Sequence, residues 1–240
     1  MRSKKLNQLF LLNFRFLKMH NIEYIHEEEH ALKGPSKTAP WITFNGENIP
    51  DSQKCIDLLA SKLEIDLFKG MSEEDKAISN SFKIMIEDRL IPCVDIERFY
   101  WKKWDDYKDL IPPFTPPALN FLSSTLWNML GKGSKKKWGV GALPKEKLEE
   151  ATSGYLDTLS KFLGAKKFMF GDEITLIDII IFGVMTLFYY CTPESSKMME
   201  IANSFSNLKE HNQRMKEKIY PNGFENPPKD TVDDVPTSSG

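Results

Sequence analysis

The chain has 240 residues and a mass of 27.7 kDa, with 32 basic against 34 acidic side chains and a formal charge of −2. At 41% hydrophobic and 28% charged residues it can bury a sizeable core in one large or two small domains, which excludes wholesale disorder. The near-neutral balance also weighs against a dedicated nucleic-acid binder, which carries a basic footprint.

Leu6, Leu9, Phe10, Asn13, Phe14 and Leu17 recur at steps of three and four and predict a helix. The basic, amphipathic look of the same stretch also fits a mitochondrial presequence, although a folded helix explains the same residues. Ile22 to Ile25 alternates apolar and polar residues and predicts a short strand. A turn over Lys33 to Lys37 follows. Trp41 to Phe44, Asn45-Gly46 and Glu47 to Ile49 then predict a hairpin, because both central residues of a type I′ turn need positive φ. Asp51-Ser52 caps a helix carrying Cys55, Ile56, Leu58 and Leu59. The first 60 residues therefore read α-β-β-β-α.

Ser72 with Glu73, Glu74 and Asp75 starts a long helical run to Trp104, which Pro92 should kink. The proline-rich stretch from Ile111 to Pro117 reads as a linker and residues 118 to 130 as an amphipathic helix. Lys132, Lys135, Lys136 and Lys137 then read as a basic loop, either simply solvated or able to meet an acidic membrane surface. Pro144 opens a helix with Leu148, Ala151, Tyr155, Leu159 and Phe162 on its buried face. Thr175 and Asp178 have capping-box spacing ahead of the apolar run from Ile174 to Tyr190, which is too short and too close to Asp178 for a spanning helix. A last helix covers residues 194 to 219. The final twenty residues hold four prolines and one lysine against four acids and read as a disordered tail.

Cys55, Cys93 and Cys191 are odd in number and have no metal-ligand or redox spacing, which argues against a disulfide scaffold and fits a reducing compartment. His26 and His30 flank three glutamates. A metal pair on one helical face is conceivable there, but an exposed acidic loop is the simpler reading, and no metal is expected.

Ala39-Pro40-Trp41-Ile42, Asn45-Gly46 and Ile49-Pro50-Asp51-Ser52 resemble the thioredoxin-like half of the glutathione transferase family. Gly171-Asp172, Thr175 and Asp178 resemble the capping box that begins that family's central helix. Within the superfamily, Lys37 to Ser52 and Phe168 to Gly171 are most similar to the failed axon connections and metaxin group. The resemblance implies an α/β thioredoxin-like domain over residues 1–70, its first strand truncated, an all-α domain over 71–220, and a tail over 221–240.

The resemblance further implies glutathione as ligand or substrate. A cis Ala39-Pro40 bond would present the Trp41 backbone to the tripeptide, Ser52 and the first-turn amides would take the γ-glutamyl carboxylate, and Asp51 would take the ammonium. The plainer alternative is that Asp51-Ser52 only caps the helix. The family's thiolate-stabilising Tyr, Ser or Cys should fall near Asn7, with Asn7 or Ser3 as weak substitutes. The sequence departs from the pattern there: either this is a natural non-catalytic member, or its start is misplaced and the first strand is missing. A cytoplasmic binding or adaptor protein is therefore expected ahead of a stress-responsive transferase acting on electrophiles. A homodimer, a protein partner, and a mitochondrial outer-membrane or peripheral location stay open.

Overall fold

The structure is a computed structural model that describes residues 12–25, 35, 41–108, 122–137 and 139–223. Asn7, Ser3, the His26/His30 stretch, the turn at 33–37 apart from Pro35, the Ala39-Pro40 bond, the linker at 111–117 and the chain beyond 223 lie outside the described residues.

Helix α1, Leu12–Met19, ends where Asn21 takes a φ of 51°, with Ile22 N–H donating to Leu17 O at 2.9 Å and Asn21 N–H to Lys18 O at 3.2 Å. This left-handed stop satisfies the last carbonyls of the helix. Ile22 to Ile25, expected as a strand, has no regular secondary structure and no described strand partner. Its leading amide closes α1 instead of joining a ladder, yet its alternation survives in the partial burial of Ile22 and Tyr24.

Strands β1, Trp41–Phe44, and β2, Glu47–Pro50, pair antiparallel with Trp41 opposite Pro50 and Phe44 opposite Glu47. Asn45 and Gly46, at φ 50° and 83°, supply the turn. Helix α2, Ser52–Lys62, buries Cys55, Ile56, Leu59 and Ala60, and the Cys55 thiol donates to Ile49 O at 3.3 Å, pinning the helix to β2.

Helix α3, Glu73–Met85, starts at a reciprocal Ser72–Asp75 box. It continues through a wide π-turn at Ile86–Leu90 into α4, Ile91–Ile96, and a second π-turn at Glu97–Trp101. Ile91 N–H donates to Ile86 O, five residues back, so the register is reset just before Pro92, where an amide is missing. Helix α5, Trp104–Tyr107, carries a fully buried tyrosine whose hydroxyl donates to Glu97 at 2.8 Å, and Ser196 donates to the other carboxylate oxygen at 2.9 Å.

Helix α6 runs Ser123–Lys137, so the stretch Lys132 to Lys137, expected as a loop, is helical. Two forces extend it. Gly131 lies so close to the Phe99 carbonyl that a Cβ would overlap it, and Trp127, fully buried, donates to Lys102 O at 3.1 Å, so the helix is held along its length. Its last turn also gathers three lysines at the negative end of the helix dipole.

Pro144 stands one residue ahead of α7, Lys145–Leu163, whose buried face is Leu148, Thr152, Leu156, Leu159 and Leu163. Helix α8, Leu176–Cys191, is buried at every residue but Tyr189 and Tyr190. The single last helix expected over 194–219 divides into α9, Lys197–Asn203, and α10, Ser206–Ile219, with Phe205 packed against the core at the break. One continuous apolar core joins α1 and α2 to α3, α7, α8 and α10. Arg15 of α1 enters it beside Gly183 and over Phe182, its carbon 5.8 Å from the ring centre, and burial lowers its pKa to about 10.

Candidate functional site

The hairpin register brings Trp41 opposite Pro50, so the Trp41 backbone and the Asp51-Ser52 pair share one end of the β-layer. Pro40, at the same end by sequence, lies outside the described residues. Asp51 caps α2: its Oδ1 accepts from Gln53 N–H at 2.9 Å and from Lys54 N–H at 3.2 Å, while Ser52 is the first helical residue and half-buried. Capping is thus done by the acid rather than by the serine.

The Asp51 backbone is unusual for that task. Its φ of 72° and ψ of 127° lie in a region that residues with a Cβ avoid, whereas an N-cap ordinarily sits in the β region. Such a conformation costs about 1–3 kcal/mol.

Two further charges, with no signal in the sequence, come from the long helical run: Lys83 in α3 and Glu87 in the π-turn that follows it. Lys83 donates through Nζ to Gln53 Oε1 in the first turn of α2. The Glu87 carboxyl is pushed up by partial burial, opposed by Lys83 and reinforced by Asp88 and Asp51. With the Gln53 and Lys54 amides taken by Asp51, the arrangement offers Ser52 at the start of α2, with Lys83 nearby, for an anionic group, and carboxylates at Asp51 and Glu87 for a cationic one. A zwitterionic ligand end fits that pattern. A concavity of about 460 Å³ lies elsewhere, at Lys166, Lys167, Asn207, Glu210 and Arg214, and holds none of these groups.

The second constellation closes the start of α8. The Asp178 carboxylate is fully buried and accepts from Thr175 N–H at 2.9 Å, Thr175 Oγ1–H at 2.6 Å and Met169 N–H at 2.9 Å, with His211 Nε2 at 2.8 Å. The Asp178 amide donates to the Thr175 carbonyl at 3.1 Å. Asp178 therefore ties the helix start, the preceding Phe168–Gly171 turn and α10 together, a structural role with no opening to solvent.

All three cysteines are buried and unpaired. Burial raises the Cys55 thiol and pushes Cys93 and Cys191 to about 11, which leaves little thiolate at neutral pH.

A family model of the glutathione S-transferase N-terminal domain matches residues 15–104, and one of the C-terminal domain matches residues 153–215. Failed axon connections from Drosophila melanogaster is 30% identical over 224 residues, covering 86% of this chain and 52% of that protein. The chain belongs to the glutathione transferase superfamily, as a failed axon connections-like protein. It spans about half the length of that curated relative.

Solved glutathione transferases share the fold. Human glutathione-S-transferase T1-1 superposes with a TM-score of 0.54 at 14% identity, covering 92% of this chain and 83% of that one. A glutathione S-transferase from Legionella pneumophila gives 0.51 at 16% identity, covering 90% and 94%. The two-stranded layer of the described residues, with its helices, belongs to the thioredoxin-like half, and the long helices form the superfamily's helical half. No helix among the described residues is long and apolar enough to cross a membrane.

Proposed function

We propose that the protein is a binding or adaptor protein on a glutathione transferase scaffold, taking glutathione as a ligand with weak or no conjugation activity. The observation that carries this reading is the Asp51 backbone. A cap alone gains nothing from φ 72°, and strain of this kind collects at ligand clamps. Ser52 and the first-turn end of α2 receive the γ-glutamyl carboxylate, Asp51 the ammonium, and the Trp41 backbone, oriented by Pro40, the cysteinyl unit. The buried, protonated cysteines support binding over thiol chemistry by the chain itself. The reading includes cytoplasmic residence, a boundary near residue 70 between the two halves, and a protein partner or second copy met through the helical half.

Conjugation of glutathione to electrophiles is the second reading, favoured by the same Asp51-Ser52 end, and it needs a donor to the ligand's sulfur. The test is retention on immobilised glutathione followed by a conjugation assay with an aromatic electrophile. Retention that Ser52→Ala abolishes, with turnover no faster than buffer, is the expected result. Turnover that Ser52→Ala removes would establish the transferase instead, and absence of retention would remove glutathione from both readings.

A further inference from the structure

Helix α6 is amphipathic twice over. Ser123, Trp127 and Gly131 face the protein and are buried. Leu122, just ahead of the helix, and Leu126, Met129 and Leu130 within it are exposed at 38%, 37%, 63% and 47%. At about 100° per residue these four fall within an arc of about 100°, the width of an apolar stripe that ordinarily packs on something. Lys132 and Lys136 are exposed along one edge of the arc. Lys135 crosses to the adjacent π-turn, donating to the Tyr100 hydroxyl at 2.9 Å, and Tyr100 and Trp101 are each 37% exposed. Residues 122–137 contain four lysines and no acid.

We propose that this outer face of α6 docks the protein on an anionic membrane surface, independently of the glutathione reading. Charge selects the occupant. A second copy meeting the same face by two-fold symmetry would set four lysines against four lysines, which like-charge repulsion opposes. An acidic lipid layer answers the lysines and the leucine-methionine stripe together, with Tyr100 and Trp101 suited to the headgroup boundary. Fifteen residues at 1.5 Å each reach roughly 22 Å, too short to cross a hydrocarbon core of about 30 Å but suited to lying in its surface. Lysine stems add apolar length while their ammonium groups stay with the headgroups.

The test is co-sedimentation of the full chain with vesicles of phosphatidylcholine alone or with about 30% phosphatidylserine. Binding to the anionic vesicles only, weakened by salt, is expected. Lys132→Gln with Lys136→Gln should lower partition roughly 10- to 30-fold at about one kilocalorie per lysine. Leu126→Ser with Met129→Ser should lower it to background. Both pairs replace exposed side chains, so an unchanged melting temperature separates lost docking from lost folding. No sedimentation with anionic vesicles, equal sedimentation with both, or binding that neither pair reduces would overturn the proposal. So would a wild-type dimer in analytical ultracentrifugation that Leu126→Ser with Met129→Ser dissociates, which would assign the face to a second copy.

Discussion

Asp178 and His211, 33 residues apart, meet at 2.8 Å with neither side chain exposed to solvent, so the start of the central helix is closed by a residue of the last one. The same carboxylate also takes two backbone amides and a hydroxyl. Removing it strands four donors at once. Asp178→Ala should cost about 3–5 kcal/mol, the range for breaking a buried pair. In a chain of this size that lowers the melting temperature by roughly 6–20 °C. A double-mutant cycle with His211→Ala should show coupling above about 1 kcal/mol, and strictly additive losses would separate the two residues.

Gly131 and Gly133 lie two residues apart in α6 and should answer oppositely to alanine. A methyl at 131 would strike the Phe99 carbonyl, so Gly131→Ala should destabilise by about 1–3 kcal/mol or more. Nothing lies within 4 Å of a methyl at 133, and Gly133→Ala should gain about 0.5–1 kcal/mol of helix propensity. Denaturant midpoints decide between this contrast and a loosely held helix, in which both would stabilise.

Cys55, Cys93 and Cys191 should be silent toward a thiol reagent at pH 8 in the folded protein and all react after denaturation. Their raised pKa values keep the thiols protonated, and burial blocks access. Fast native-state labelling of one thiol would contradict that packing.

Asp51→Gly should uncouple stability from binding. Glycine adopts φ 72° without strain, and losing a side-chain cap to glycine costs only a few tenths of a kilocalorie, so stability should rise by about 0.5–2 kcal/mol. Glutathione retention should fall in the same variant. A less stable protein with unchanged retention would make Asp51 a cap and nothing else.

Local chemistry carried the legible part of the fold. Asn45-Gly46 fixed the hairpin because two positive φ values need those residue types, and Ser72 marked the start of α3 because a capping hydroxyl is followed at once by three acids at the positive end of the helix dipole. What depended on distant partners was hidden. Lys132 to Lys137 reads as a loop until Gly131 is seen seated on Phe99, and Ile22 to Ile25 reads as a strand although its first amide closes α1. The two π-turns, the Glu97–Tyr107–Ser196 cluster and the arrival of His211 at Asp178 have no signature within a window of neighbouring residues. At the candidate site, Trp41, Asp51 and Ser52 were named through the family resemblance of their motif, and one tight turn brings them to the same end of the hairpin. Lys83 comes from α3 and Glu87 from the π-turn after it, and only the tertiary arrangement brings them near α2.

Calorimetric titration of free glutathione into the wild-type chain and into Ser52→Ala reads the central claim without a matrix or an electrophile. Saturable heat at a single site in the wild type, absent in a Ser52→Ala protein of unchanged melting temperature, is the predicted result. A wild-type titration indistinguishable from buffer dilution would contradict it.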